Sequence, residues 1–255
     1  MYTLKKSLGQ HFLNDAGTLA RITEAVVDGH PTQLLEVGPG GGALTQHLLL
    51  LPDIDFRAVE LDDEKSAYLE KKFPAIQGKL IRGSILDIPA PFPDAFHVVG
   101  NFPYNISSQI LFKVLDWKEQ VPRVIGMFQK EVAERVAAKP GSKAYGVISI
   151  LLQAHYAVDY LFDVPPHCFT PPPQVMSGVI RLTRRNELPD FRSWPDFQRI
   201  VKAAFTQRRK TLRNGLKGIL PPEVLVDTLF ERRAETLSVD EFAALTHRLP
   251  ARTKN

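Results

Sequence analysis

The sequence predicts an α/β fold, namely a doubly wound, mostly parallel sheet of seven strands, followed by a small all-helical region. Short apolar runs alternate with helical patterns through the first two-thirds of the 255-residue chain, an order typical of parallel sheets. A glycine-rich turn follows the first run, where such folds place a ligand. After about residue 185 the apolar residues recur only at helical intervals. We therefore expect two domains, residues 1–185 and residues 186–255.

Each predicted element has its own local pattern. The strands are short apolar runs, several of them rich in β-branched residues; they are residues 34–37, 56–60, 80–82, 96–100, 124–128, 156–162 and 175–182. The helices have apolar residues three and four apart; between the strands they cover residues 43–51, a segment that ends at residue 71, and residues 107–115, 130–138 and 147–154. The last two strands flank the proline-rich loop VPPHCFTPPPQV.

The composition excludes several classes of protein. Hydrophobic residues make up 44% of the chain and charged residues 24%, as in folded soluble domains. No run approaches the roughly 18 to 20 apolar residues of a membrane span, and the start MYTLKKSLGQHFL has no apolar signal-peptide core. The single cysteine, Cys168, excludes an internal disulfide and fits a reducing compartment. We expect a cytoplasmic protein without membrane association.

A basic block lies in the predicted helical domain. The net charge is +4, and residues 192–217 contain eight Lys or Arg residues against one acid, Asp196. Such a block attracts a polyanion, most commonly a nucleic acid, although a solvated helix face has the same pattern. Arg209 and Arg213 are four apart, so we expect them to share one helix face. The candidates for contacts to RNA phosphates are Arg208, Arg209, Lys210 and Arg213.

The first predicted strand runs into EVGPGGGALT, which combines glycines with an acid. Gly38, Gly40 and Gly42 let the backbone turn sharply and approach a ligand closely. Glu60 ends the second strand, 22 residues after Gly38. A carboxylate there can accept both ribose hydroxyls of an adenosine ligand, either NAD or S-adenosylmethionine. Glu36 precedes the glycines in an E-x-G-x-G-x-G pattern, which favours S-adenosylmethionine because this acid can face the amino end of its methionine.

The fourth predicted strand enters GNFPYNIS, an unusual turn. If the reaction is methyl transfer to an adenine base, the acceptor is its exocyclic amine, which is a poor nucleophile because its lone pair is delocalised into the ring. Hydrogen-bond acceptors aimed at the N–H groups favour a pyramidal, more nucleophilic nitrogen. The side chain of Asn101 and the main-chain carbonyl of Phe102 can act as those acceptors. Pro103 fixes the turn, and Tyr104 can stack on a base taken out of its strand. A plain turn capped by Asn101 is the alternative, and the glycine loop with Glu60 favours the catalytic interpretation.

Eight motifs in order make the chain resemble the KsgA (RsmA) family of ribosomal RNA adenine dimethyltransferases, which are class I, Rossmann-like methyltransferases. The motifs span about residues 7–249 and are SLGQHFLND, EVGPGGGALT, ELD, GNFPYNISSQI, MFQKEVAERV, SKAYGVIS, FTPPPQVMSGVIRL and AFTQRRKTLRN. The resemblance implies transfer of four methyl groups from S-adenosylmethionine to two adjacent adenosines near the 3′ end of 16S rRNA. The products would be N6,N6-dimethyladenosines and S-adenosylhomocysteine. The implied partner is an immature small (30S) ribosomal subunit, bound by a monomer.

The resemblance also implies roles for single residues. His11 stands where many members have Asn, and Ser84 stands where an Asp is usual, so either Ser84 or Asp87 would contact the adenine of the cofactor. Phe169 would pair with Tyr104 around the target base. The implied contacts to S-adenosylmethionine are His11, Leu13, Gly38, Glu60, Ser84 and Asn101.

Several expectations remain open to test. No metal is expected, because the histidines and the cysteine show no ligand spacing. Lys5 and Lys6 would add phosphate contacts. One alternative function is an Erm-type methyltransferase of 23S rRNA, which AYGVIS, FTPPPQV and FTQRRKTLRN disfavour because they match the KsgA pattern better. The other is a mainly non-catalytic assembly factor of the small subunit. Ser84 in place of the usual Asp favours this alternative, whereas the intact Asn101 and Tyr104 favour retained catalysis.

Overall fold

The computed structural model describes residues 11–251, which form two compact units. The first unit contains the described residues 11–134 together with 157–184, and the second contains residues 135–156 and 185–251. The sequence predicted a single boundary at residue 185, whereas the chain already leaves the first unit at residue 135 and returns to it at residue 157. How the two units divide the function between them stays a prediction.

The first unit is built on a seven-stranded sheet. The strands of the chain are β1 (Phe12–Leu13), β2 (Gln33–Val37), β3 (Asp55–Glu60), β4 (Leu80–Arg82), β5 (His97–Asn101), β6 (Arg123–Gln129), β7 (Tyr156–Val164), β8 (Phe169–Thr170) and β9 (Ser177–Arg184). The sheet order is β4–β3–β2–β5–β6–β9–β7. The pairs from β4 to β6 are parallel, whereas β9 runs antiparallel to β6. The predicted mostly parallel seven-stranded sheet is therefore confirmed.

The central strands are buried along most of their length. Leu34 and Leu35 of β2 and Val98 and Val99 of β5 are each at most 1% exposed. Neighbouring residues of a strand point to opposite faces, so both faces of the sheet are covered, as parallel sheets require. The short strands β1 and β8 form a separate antiparallel pair, with Leu13 opposite Phe169, which the sequence did not predict.

Helices of the first unit connect the strands. They are α1 (Ala16–Val27), α2 (Thr45–Leu48), α3 (Asp63–Lys72), α4 (Ser107–Asp116) and α5 (Lys130–Ala137), the last continuing into the second unit. Asp15 and Asp62 cap the first turns of α1 and α3 by accepting hydrogen bonds from main-chain N–H groups. Helix α1 was not predicted. The helix predicted over residues 43–51 shortens to α2, because turns occupy the residues on either side of it.

The second unit consists of helices and turns. Its helices are α6 (Val147–Gln153), α7 (Trp194–Ala204), α8 (Leu212–Leu216) and α9 (Val239–Thr246), with single 3₁₀ turns at Thr228–Glu231 and Ala234–Thr236. Helix α6 is almost entirely buried and packs against α7. This packing explains why residues 135–156 belong to the second unit, since an apolar helix needs cover on all sides.

Candidate active site

A pocket lies in the first unit where the parallel strands β2, β3, β4 and β5 end. It is lined by the glycine loop after β2, the end of β3, the turn after β4 and the segment after β5. Ligands of open α/β sheets bind at this edge. The predicted site residues that line it are His11, Leu13, Glu36, Gly38, Gly40, Glu60, Ser84, Asn101, Phe102, Pro103 and Tyr104.

The glycine loop has the backbone conformation that its residues predict. Gly38 and Gly40 have φ values of +68° and +58°, in the left-handed region that glycine adopts without a steric penalty. A Cβ atom on Gly38 would lie 3.7 Å from Cδ of Pro103, so the loop closely approaches the segment after β5. Gly42 does not line the pocket. Its Cβ would lie only 2.3 Å from Cε2 of Phe73, so this glycine allows close packing instead.

The buried acidic residues that line the pocket include Glu36 and Glu60. Glu36, at 2% exposed, accepts a hydrogen bond of 2.7 Å from Oγ1 of Thr45. Burial, with a smaller effect from Glu60, raises the pKa of Glu36 to about 8 despite that hydrogen bond. Glu60, at 6% exposed, accepts main-chain hydrogen bonds of 3.1 Å from Gly40 and from Asp62. These bonds hold the Glu60 carboxylate against the glycine loop.

The segment Asn101–Tyr104 is held from several directions. Phe102 is buried against Phe128, with ring centroids 5.0 Å apart. A Cβ atom on Gly100 would lie 2.5 Å from the carbonyl oxygen of Val37, so only glycine lets β5 approach β2 so closely just before this segment. The main-chain N–H of Phe102 donates to the carbonyl of Met127 at 3.1 Å. The turn is therefore anchored by a packed aromatic ring and a sheet hydrogen bond.

The side chain of Asn101 is oriented by the segment around β1. Its Nδ2 donates to the carbonyl oxygen of His11 at 3.3 Å. A carbonyl oxygen only accepts hydrogen bonds, which leaves Oδ1 of Asn101 as the acceptor for another group. Nδ1 of His11 lies 2.8 Å from the carbonyl oxygen of Pro171, and its ring stacks on Tyr104 with centroids 5.9 Å apart.

Besides Gly42, the predicted site residues Phe169 and Asp87 do not line the pocket. Phe169 is 3% exposed and belongs to the hydrophobic core with Leu13. Among the described residues, the ring in contact with Tyr104 is that of His11. Asp87 is exposed, whereas Ser84 lines the pocket and its Oγ accepts the N–H of Leu86 at 3.1 Å. Ser84 is thus the better placed of the two candidate adenine contacts.

The predicted RNA contacts lie in the second unit, but not on one helix. Helix α7 ends before Arg209, and Arg213 belongs to α8, so the expected shared face is wrong. The intervening residues form turns, which separate the two side chains. Arg208 donates to the carbonyls of Lys143 and Tyr145.

The remaining basic candidates differ in their partners. Arg213 donates to the carbonyl of Leu225 at 3.0 Å and lies 3.7 Å from Glu231. Arg209 and Lys210 are exposed, and within residues 11–251 neither side chain has a hydrogen bond or an ion pair. Lys5 and Lys6 lie outside the described residues.

Two residues at the site were missed by the sequence reasoning. Thr45 contacts Glu36, and Ser177 at the start of β9 lies with its Oγ 2.5 Å from Oη of Tyr104. Thr45 lies in the motif EVGPGGGALT and Ser177 in FTPPPQVMSGVIRL. Each is a small polar residue at the start of a buried helix or strand, and this was the signal that could have identified them. Over residues 11–251, no group of three or more His, Cys, Asp or Glu side chains could hold a metal ion. In the same range no helix is long and apolar enough to span a membrane.

Comparison with known proteins finds a matching family model and relatives that share one name. A family model described as ribosomal RNA adenine dimethylase matches residues 1–249. A protein of Cytophaga hutchinsonii named ribosomal RNA small subunit methyltransferase A is 52% identical over 253 residues, covering 96% of each chain. One of the same name from Porphyromonas gingivalis is 48% identical over 250 residues, covering 95% of this chain and 96% of the relative.

Solved structures share the fold. A dimethyladenosine transferase from Plasmodium falciparum has a TM-score of 0.75 at 23% identity, covering 91% of this chain and 94% of that one. The 23S rRNA methyltransferase ErmE has a TM-score of 0.72 at 23% identity, covering 93% and 99%. At this identity the two structures establish a common methyltransferase fold and no more.

Proposed function

The chain belongs to the ribosomal RNA adenine dimethylase family, and on this premise we propose that it methylates N6 of two adjacent adenosines near the 3′ end of 16S rRNA. The products would be N6,N6-dimethyladenosines. One observation carries the proposal: the glycine loop and the segment Asn101–Tyr104 line the same pocket. They approach so closely that a Cβ atom added to Gly38 would lie 3.7 Å from Cδ of Pro103. A methyl donor and an adenine amine bound by these two elements would be neighbours.

The pocket fits S-adenosylmethionine as the methyl donor. This cofactor supplies a methyl group that is already activated on a positively charged sulfur. The left-handed backbone at Gly38 and Gly40 leaves room for close approach. Glu60 is placed to accept ribose hydroxyls, Ser84 to contact the adenine, and Glu36 to face the amino end of the methionine. Glu60 and Glu36 both line the pocket and are buried, so their carboxyl groups have few competing water molecules.

The chain's own contribution to the reaction is to hold the target amine. Oδ1 of Asn101 accepts one N–H of the adenine amine and the carbonyl of Phe102 accepts the other. These acceptors stabilise the pyramidal nitrogen that forms as its lone pair leaves the ring system. Tyr104 supports the extruded base, and burial raises the pKa of its hydroxyl above the ordinary value. Little acid–base catalysis is required, because positioning contributes most of the rate.

The second unit is proposed to bind the ribosomal RNA of an immature small (30S) subunit, with the protein acting as a cytoplasmic monomer. Arg209 and Lys210 support this role because both are exposed and form no side-chain ion pair within residues 11–251. Phosphate contacts of this kind provide affinity that falls steeply with salt. Replacing both residues with Glu should weaken binding of the subunit and reduce the salt dependence. Lys71→Glu, an exposed charge change in the first unit, is the control.

The function is tested by incubation with methyl-labelled S-adenosylmethionine and isolated small or large ribosomal subunits that lack the modification. We expect label in the small subunit, mapped by mass spectrometry to two dimethylated adenosines. Asn101→Ala should lower the rate about 10²- to 10³-fold, whereas Asn214→Ala, an exposed amide in the second unit, should not. Label only in the large subunit would refute the proposal in favour of a 23S rRNA enzyme. Absence of cofactor binding by calorimetry would instead favour an assembly factor.

A further inference from the structure

We propose that Ser177 is a positioning residue for methyl transfer, because its buried hydroxyl holds the ring of Tyr104 where the target base is gripped. This inference rests on the proposed function of the pocket and extends it to a residue outside the segment after β5. Ser177 lies 73 residues further along the chain than Tyr104. It acts through Tyr104 and does not line the pocket itself.

The contact is short and has no competing partner. Oγ of Ser177 and Oη of Tyr104 are 2.5 Å apart. The Ser177 side chain is 0% exposed, so water does not replace a lost partner. Within the described residues, each hydroxyl has the other as its only side-chain hydrogen-bond partner. Removing the hydroxyl of Tyr104 therefore leaves the serine hydroxyl buried and without this partner, and removing that of Ser177 releases the tyrosine ring from its only side-chain hydrogen bond among the described residues.

Ser177 is itself fixed in place by its surroundings. It is the first residue of β9 and stands opposite Gln129 of β6. The next residue, Gly178, packs so closely that a Cβ atom there would lie 2.4 Å from Oη of Tyr160. The preceding carbonyl, that of Met176, accepts the N–H of Lys130 at 2.9 Å. The anchor for the tyrosine hydroxyl is therefore part of the rigid sheet.

The hydrogen bond selects one orientation of the Tyr104 ring. The ring is restrained at its hydroxyl by Ser177 and at one face by His11, whose ring is inclined by 29°. Without the hydroxyl contact the ring can tilt about its side-chain torsions, because one stacking neighbour fixes only one face. A base that stacks on a tilted ring presents its amine away from Asn101. The expected consequence is slower transfer with unchanged cofactor binding.

The test is a double-mutant cycle with Ser177→Ala and Tyr104→Phe, measured by methylation of small subunits under saturating cofactor. We expect each single variant to lower kcat about three- to tenfold, in line with the net strength of one buried hydrogen bond. In the double variant the second substitution should cause no further loss, so its kcat should equal that of the slower single variant. In a second series with varied cofactor concentration, the KM for S-adenosylmethionine should not change. Ser66→Ala, another fully buried serine in the first unit, is the matched control and should retain full activity.

Other outcomes separate this inference from the function it rests on. Ser177→Thr keeps the hydroxyl and should restore most of the activity lost in Ser177→Ala. If Tyr104→Phe is as active as the wild type, the inference is overturned, even where Ser177→Ala fails to fold. Multiplying losses in the double variant, or a rise in the KM for the cofactor, overturn it as well. A wild-type protein that methylates no adenine would refute the proposed function first and the positioning role with it.

Discussion

Glu36 is a buried acid whose charge should make the stability of the first unit depend on pH. Its pKa rises to about 8 because burial disfavours the ionised form. In the unfolded chain the same group ionises near its ordinary value of about 4.3. Between these two pH values the native state holds a proton that the unfolded state releases. The free energy of unfolding therefore falls as pH rises through this window and levels off above the native pKa.

The magnitude follows from the width of the window. Each pH unit within it corresponds to about 1.4 kcal/mol for one proton, so raising the pH from 5 to 7 should cost the native state about 3 kcal/mol. Glu36→Gln keeps the size of the side chain and an oxygen acceptor for Thr45, but it cannot ionise. The variant should be more stable than the wild type by about 1 kcal/mol at pH 5 and by about 4 kcal/mol at pH 7. The difference in the free energy of unfolding between the variant and the wild type should level off near pH 8.

The assay must report on the first unit alone, because two compact units need not unfold together. The chain has two tryptophans, and Trp117 lies in the first unit while Trp194 lies in the second. Urea unfolding is therefore followed by Trp117 fluorescence in a Trp194→Phe background at pH values from 5 to 8. Glu119→Gln, whose glutamate side chain is 81% exposed, is the matched control. A difference between wild type and Glu36→Gln that stays constant with pH, or that shrinks as pH rises, would refute the burial argument.

Three further predictions concern packing, acid stability and a helix cap. Gly126→Ala should destabilise the first unit by about 1 to 3 kcal/mol, because the new Cβ would lie 2.4 Å from the ring of Phe128 and 2.6 Å from that of Phe102; adding Phe102→Leu should recover part of the loss in urea unfolding. His97→Leu should lower the pH midpoint of acid unfolding. Burial lowers the pKa of His97 to about 4, so wild-type stability falls as pH drops from about 6.5 towards 4. Ser238→Ala should cost the second unit about 1 kcal/mol through loss of a side-chain cap, measured by tryptophan fluorescence of that unit.

The sheet and most of the pocket could be predicted from the sequence because their signals are local. Apolar runs identified the seven strands, and the carboxyl ends of parallel strands meet at one edge of the sheet. Gly38, Glu60 and Asn101 each follow or end such a strand, so their meeting in one pocket follows from the fold class. The resemblance to a known family added roles that these residues alone left open.

Other features could not be predicted because they depend on contacts between distant parts of the chain. The pairing of β1 with β8 joins two-residue strands about 157 residues apart, and two residues carry no periodic pattern. Arg209 and Arg213 have helical spacing, yet turns interrupt the helix between α7 and α8. The resemblance implied that Phe169 pairs with Tyr104 around the target base, whereas the structure places Phe169 opposite Leu13 of β1 and in the hydrophobic core. Only the Arg209 and Arg213 case is a local pattern that the structure overrode; the other two depend on pairing between residues far apart in the chain.

The two sides of the pocket are supported in different ways, and this difference has a functional consequence. On the cofactor side the supports are near in sequence, since Glu36 contacts Thr45 and Gly40 contacts Glu60. On the substrate side Asn101 is oriented by a carbonyl 90 residues away. Tyr104 is likewise held by Ser177 of β9, 73 residues away. Substitutions that disturb β9 should therefore slow methyl transfer while leaving cofactor affinity intact. The groups that orient Asn101 and Tyr104 thus come from parts of the chain that are far apart in sequence, and the tertiary fold is needed to bring them together.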